Sequence, residues 1–371
     1  MWHYLKFFNF YIAVLLGLSS IWLGNYFIVY GYALYLALYI LGDALLGDDI
    51  SEPPLLNQRL LRYMLYGAMP IAIMIYLSAL WLVLPLHSTT GQWIMSNLPL
   101  YFVNAKLDTS WWQLVIAVPF LGLMLGGVAT VVAHELVHKI GNPIAVAVGR
   151  WLLAFSFDAN FSIEHVYNHH IKVATPEDPA TAPRGRNVYV HFVKAFSGTQ
   201  KAGWQIEKKR LKRKSISIYS WHNAFLRGWA MSIILLTLAY ILSGVFGALM
   251  FVAVGLSAKF TLEIVNYMEH YGLVRHPKQP VRPRHSWNSN RRVSCWTMFN
   301  LPRHSHHHAQ GAVPFEKLKA MPDSPEMIGG YISTMAIALI PPLWFKVMEK
   351  KLAHWDANFA NKEELEIIKQ L

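Results

Sequence analysis

Four separated sites in this chain present imidazoles at spacings that suit a metal ion. The densest is NLPRHSHHHA, residues 300–309, where His304, His307 and His308 stand at i, i+3 and i+4. That spacing aims all three at one point from a helical face or a tight turn. His134 and His138 in HELVH share a helix face by the same geometry. His165, His169 and His170 follow in HVYNHH, and His270 stands in NYMEHYG. HELVH taken alone reads as a zinc protease motif with Glu135 as general base. A catalytic zinc, however, takes three protein ligands and a water. Nine imidazoles are too many for that and fit two ions with roughly four or five ligands each. Imidazole suits iron, copper and zinc. A pair of redox-active irons would give O2 a place to bind and be cleaved, so two irons are expected.

Metal-bound histidines usually donate their other ring N–H to a carboxylate or carbonyl. Asp178 and Glu269 are the foremost candidates for that supporting role. Glu135, Asn266 and His285 stand beside them, with Glu164 and Glu263 close in sequence. Each acid has the alternative of a solvated or lysine-paired surface position. His306 is crowded between ligand candidates but off their spacing, which makes it an extra ligand at most. Histidines such as His87, His191 and His222 have no partner pattern and read as surface or structural.

A very apolar chain must carry these polar sites. Of its 371 residues, 54% are hydrophobic and 15% charged, with a mean hydropathy of +0.29. The apolar residues come in long blocks rather than stripes, which indicates an all-α integral membrane protein. Blocks of about 20 apolar residues, enough to span a bilayer, lie near 6–26, 28–47, 63–86, 112–133, 225–243 and 246–264. The first two are expected to turn at Gly24-Asn25, with Trp22, Tyr26 and Tyr30 at the membrane interface. The link 48–62 is polar and broken at Pro53-Pro54.

Six transmembrane helices with the N-terminus inside leave one of the 33 Lys and Arg, Lys106, on the outer side. The positive-inside bias therefore places both termini and every histidine site in the cytoplasm. Residues 134–224 and 265–371 then form a cytoplasmic histidine-rich catalytic cap, and 1–371 reads as a single integral-membrane catalytic domain. Within the cap, 145–157 reads as an amphipathic stretch. KKRLKRK at 208–214 reads as a helix facing water and anionic headgroups. Residues 329–347, with Pro341-Pro342 inside, read as buried or interfacial rather than as a seventh span. The net charge of +12 fits the same bias and also offers an acidic partner a docking surface. Nothing points to nucleic acid. Cys295 is the one cysteine, which excludes an intramolecular disulfide and a thiolate-rich metal site within this chain. It reads as a small packing residue.

The stretches HELVHK, EHVYNHH, VATPEDPA, NYMEHYGLVR, PRHSWNSN and LIPPLW resemble signatures of the membrane-bound alkane 1-monooxygenases. Those enzymes sit within the wider histidine-box class of membrane desaturases and hydroxylases. The resemblance runs from about His134 to Trp344. It implies six transmembrane helices, a non-haem di-iron centre and O2-dependent hydroxylation of the terminal methyl of alkanes to 1-alkanols. It also implies the cytoplasmic (inner) membrane, and electrons from NADH through rubredoxin reductase and rubredoxin. The family's ligands carry over onto His134, His138, His165, His169, His170, His270, His304, His307 and His308, the same nine that spacing selects. Two positions depart from the family pattern. Pro302 stands where the family usually has Gln, and His306 where it usually has Asp. HWDANFANKEE near the C-terminus is similar to the related xylene-methyl hydroxylases.

The residues themselves agree with an outside electron source. Inserting one oxygen atom into a C–H bond while reducing the other to water consumes two electrons. One cysteine cannot build an electron-transfer centre, and no nucleotide-binding glycine motif is present. A separate carrier must therefore reach the basic cytoplasmic face, and rubredoxins, small and acidic, are complementary to it. An alkane dissolved among the membrane lipids would enter between helices. Competing readings are a methyl-aromatic or terpene hydroxylase or acyl desaturase on the same metals, a zinc intramembrane protease using HELVH alone, and a metal transporter. Histidines at the membrane edge rather than along a pore weigh against the last.

Overall fold

A computed structural model describes residues 2–52 and 58–370, so the Pro53-Pro54 break lies outside the described residues. The apolar blocks fold as helices because a backbone in hydrocarbon must satisfy its own polar groups. Five helical runs are long and apolar enough to cross a membrane: Lys6–Leu23, Tyr26–Leu46, Arg59–Val83, Trp111–Val137 and Ala224–His270. The last, at 47 residues, would be about 70 Å long if straight. It is not straight. Gly244 leaves the helical region at φ 65° and ψ −158°, a conformation essentially confined to glycine. A Cβ on Gly247 would lie 2.5 Å from the carbonyl oxygen of Ala239. Residues eight apart on one helix are about 12 Å apart along its axis. The chain therefore reverses at Gly244, and its two arms, 224–243 and 245–270, cover the apolar blocks 225–243 and 246–264. Among the described residues the β-structure is limited to two isolated bridges.

The chain forms two compact units. The first comprises the described residues of Met1–Leu38, Arg59–Asn160 and Ala224–Thr261. Its first two helices turn where expected, with Gly24 and Asn25 both at positive φ. Tyr26 and Tyr30 are 54% and 64% exposed. Trp22 is half-buried. Its ring stacks on Trp81 at 5.5 Å and its Nε1–H donates to Ser78 Oγ at 2.9 Å. A Cβ on Gly122 would lie 2.3 Å from Ser257 Oγ, so these helices approach through small residues, as helices in lipid do. A Ser110–Gln113 capping box opens Trp111–Val137. That run passes through a π-helical turn at Gly126–Val131 before the α-helical Val132–Val137. Also in this unit, Lys259 Nζ meets Asp158 Oδ2 at 2.6 Å, their side chains 1% and 2% exposed.

The second unit comprises the described residues of Tyr39–Gln58, Phe161–Asn223 and Leu262–Leu371. Asn187 caps the helix Val188–Arg213. Its buried residues, Val188, His191, Ala195, Thr199, Gly203, Glu207 and Leu211, recur at helical spacing, so one stripe packs inward. Two anchors fix the chain ahead of His304. Asp43 accepts from the Ser294 N–H at 2.9 Å and from its hydroxyl at 2.5 Å. The buried Arg303 guanidinium donates to the carbonyls of Leu318 and Asp49 at 2.5 and 2.7 Å. Cys295 is buried, as a packing residue should be. Tyr331–Ala338 and Pro341–Asn358 are bent by 118° at the proline pair, which rules out one straight helix over 329–347.

Candidate metal centre

The second unit brings seven of the nine histidines into buried or half-buried positions around common points. The coordinating atoms of His169, His270 and His308 lie within 4.8 Å of one another, as do those of Glu269, His270 and His304. His165, His170 and His307 form another such set. Local backbone sorts them. His165–His169 is a π-helical turn, followed by the α-helical His170–Lys172. A π turn pairs i with i+5 rather than i+4. His165 therefore meets His170, Nε2 to Nε2 at 3.0 Å, and His169 is turned toward His270 and His308. The His165 and His169 rings still stack, with centroids 5.0 Å apart.

The nitrogen spacings test whether an ion fits. His170 Nε2 lies 3.1 Å from His307 Nε2, and His270 Nε2 lies 3.3 Å from His304 Nε2. Two ligands at right angles on bonds of about 2.1 Å are about 3.0 Å apart. Orphaned atoms give a second test. Neither ring nitrogen of His308 has a hydrogen-bond partner among the described residues, and neither has Nε2 of His169. Buried polar atoms in native proteins are nearly always satisfied. A metal is the group these atoms lack.

Supporting residues set the ring orientations. His169 Nδ1 donates to Asp178 Oδ2 at 2.9 Å, which leaves the Nε2 lone pair for a metal. Asp178 also accepts from the Thr181 hydroxyl at 2.6 Å and the Ala180 N–H at 3.1 Å. Burial alone would raise the Asp178 pKa, but these bonds and the charge of His169 hold it below the usual carboxylate range. Glu164 differs. Burial, then repulsion from Asp178, push it up to about 8 against the pull of His169 and Asn168. Glu269 accepts from the buried Tyr331 hydroxyl at 2.6 Å and reaches His304 Nε2 at 3.2 Å. Its position, expected to be supporting, is also close enough to ligate. Replacing Asp178 with Asn should weaken metal binding about 10–100-fold, measured as metal retained against a competing chelator. Unchanged retention would make this contact merely structural.

Sequence reasoning missed two residues. Arg275 donates to the carbonyls of Val173 and Ile171 at 2.9 and 2.6 Å, and its own N–H to Ala174 at 2.7 Å. It thus ties the strip after His170 to the strip after His270. Tyr331 sits in an apolar stretch with no pattern to single it out. The other candidates have partners of their own. Asn266 donates to Glu263 at 3.1 Å. His306 Nδ1 accepts from the Lys319 N–H at 2.9 Å. His285 donates from Nε2 to Glu364 at 2.8 Å, and its Nδ1 accepts from the Arg282 N–H at 3.0 Å.

That last contact carries a pH dependence. Burial raises the Glu364 carboxyl, but the bonds from His285, Arg284 and Asn361 outweigh it and bring it from 4.5 to about 2. Burial also holds His285 below its ordinary 6.5. Both groups bind fewer protons folded than unfolded, so both lose stabilising effect as pH falls. The His285 contribution fades below 6.5, and the Glu364 contribution between about 4.5 and 2. Glu364→Gln should flatten the acid limb of a stability-versus-pH curve, and an unchanged limb would exclude this contact as its source.

In the first unit, His134 and His138 lie on one face with ring centroids 4.9 Å apart. Glu135 faces Lys139 at 3.3 Å.

Comparisons with known proteins bear on this geometry. The family model for fatty acid desaturases matches residues 109–329. Alkane 1-monooxygenase 1 of Pseudomonas aeruginosa is 38% identical over 243 residues, covering 64% of this chain and 63% of that protein. Alkane 1-monooxygenase of Pseudomonas putida is 31% identical over 370 residues, covering 94% and 85%. The xylene/toluene monooxygenase hydroxylase component XylM of Pseudomonas putida is 30% identical over 353 residues, covering 95% and 89%. The chain spans 63–64% of the length of the Pseudomonas aeruginosa and Acinetobacter baylyi relatives it matches.

Proposed function

This chain belongs to the alkane 1-monooxygenase family within the fatty acid desaturases, and from that premise we propose that it hydroxylates the terminal methyl of alkanes. The reaction consumes O2, two electrons and two protons, and yields a 1-alkanol and water. Two iron ions are the cofactor, held by His134, His138, His165, His169, His170, His270, His304, His307 and His308. Iron bound there supplies the oxidising power for an unactivated C–H bond. Rubredoxin, charged by its reductase and NADH, is the electron donor, and the cytoplasmic membrane is the location, with both termini inside.

The observation that carries this reading is the set of buried, unsatisfied nitrogens on His169 and His308 beside His270. The surrounding residues have defined tasks. Asp178 holds the His169 ring with Nε2 turned inward. Tyr331 holds Glu269 at His304. Neutral imidazoles leave the charge of two cations uncompensated. The buried acids Glu164, Asp178, Glu263 and Glu269 would offset it, with Glu164 giving up its proton as the cations bind.

The test is metal analysis with iron spectroscopy on purified protein, then product analysis on alkanes from octane to hexadecane with rubredoxin, its reductase and NADH. A single zinc, or no 1-alkanol from any of them, sinks the reading. The similarity to XylM over 89% of its length favours a second reading, hydroxylation of a methyl group on an aromatic ring. Benzylic alcohol from toluene or xylene, with no product from alkanes, would select it.

A further inference from the structure

The exposed side of the helix Val188–Arg213 carries charge of one sign. Lys201, Lys208, Lys209, Lys212 and Arg213 are exposed, as is Lys214 just past its end. The one acid in this helix, Glu207, is buried and held by Arg210 at 2.6 Å. Solvated surface helices usually interleave both signs. This one does not, so a counter-charge must come from outside the helix.

A second feature says which kind. Arg210 Nη2 donates to the carbonyl of His222 at 2.7 Å, which pins the basic end of the helix to the turn that follows. In that turn Tyr219 and Trp221 are 79% and 73% exposed. Three residues after Trp221, at Ala224, a membrane-crossing run begins. Tryptophan and tyrosine favour the headgroup level of a bilayer. Lysines beside the mouth of a span are drawn to an anionic leaflet. We infer that the outer face of Val188–Arg213, together with Lys214, Tyr219 and Trp221, is a docking surface for the anionic headgroups of membrane phospholipids. An acidic protein would answer the cations but not the large exposed rings at the start of a span. The inference does not depend on which hydrocarbon is oxidised.

The test uses the full chain in phosphatidylcholine nanodiscs with a trace of spin-labelled phosphatidylglycerol or spin-labelled phosphatidylcholine. The immobilised fraction of each label reports selectivity. Wild type should favour phosphatidylglycerol at least about fivefold, the factor one surface lysine supplies. That preference should largely vanish as NaCl rises from about 50 to 500 mM. K208Q/K209Q/K212Q/R213Q/K214Q should show no preference, whereas K208R/K209R/K212R/K214R should keep it. If the glutamine variant does not fold, the salt titration of wild type decides alone. Equal immobilisation of the two lipids, a salt-independent preference, or a preference that survives the glutamine substitutions overturns the inference. So does a glutamine variant that keeps lipid selectivity but loses affinity for an acidic carrier protein.

Discussion

Replacing His308 with alanine is expected to abolish stable metal binding at its site and to lower hydroxylation by more than about 100-fold. Loss of a group that merely orients a ligand costs about 10–100-fold, and a ligand should cost more. His308 is fully inside the second unit and makes no hydrogen bond through either ring nitrogen among the described residues. Its coordinating atom lies within 4.8 Å of those of His169 and His270. A histidine kept for packing would behave differently: its removal would lower stability and leave metal content alone. Metal per polypeptide, measured by mass spectrometry beside a thermal melt, separates the two. His306→Ala is the internal comparison. That residue spends Nδ1 on the Lys319 backbone, and its variant should keep its metal. Equal metal loss in both variants would defeat the assignment.

Replacing Asp158 with asparagine is expected to destabilise the protein by about 3–5 kcal/mol, the usual result of removing one partner from a buried ion pair. The Lys259 ammonium and the Asp158 carboxylate are 2.6 Å apart and almost wholly enclosed. Taking away the carboxylate removes a charged partner 2.6 Å from a buried ammonium. Its hydrocarbon stem gives no compensation. Replacing both, as Asp158→Leu with Lys259→Met, should recover most of the loss, because an apolar pair of similar volume is often neutral or better. Detergent-solubilised unfolding of the two singles and the double closes the cycle. Additive effects would mean that the pair has no coupling worth the name.

The spans were legible because length and apolarity alone decide them. Even the reversal at Gly244 showed as a gap between two apolar blocks. The histidines were legible as ligand types for a similar reason, since imidazoles so dense in an apolar chain need a common partner. Their partnering was not. Spacing alone left open which rings of 165–170 meet nitrogen to nitrogen, and the π turn brings His165 Nε2 to His170 Nε2 at 3.0 Å. No residue in HVYNHH announces a π turn. Arg275 escaped notice because its partners are backbone carbonyls, which leave no trace in side-chain pattern. Tyr331 was hidden within an apolar run whose only evident property was length.

The group formed by His169, His270 and His308 also has a consequence in time. About 140 residues separate the first of these from the last, and a ribosome adds about 5–20 residues each second. For about 7–28 s after His169 is made, a nascent chain lacks the means to complete this group. A metal can therefore be held by this group only after His308 has been made. A chain stalled or cleaved before residue 300 cannot form this group while its helices are still being threaded into the bilayer.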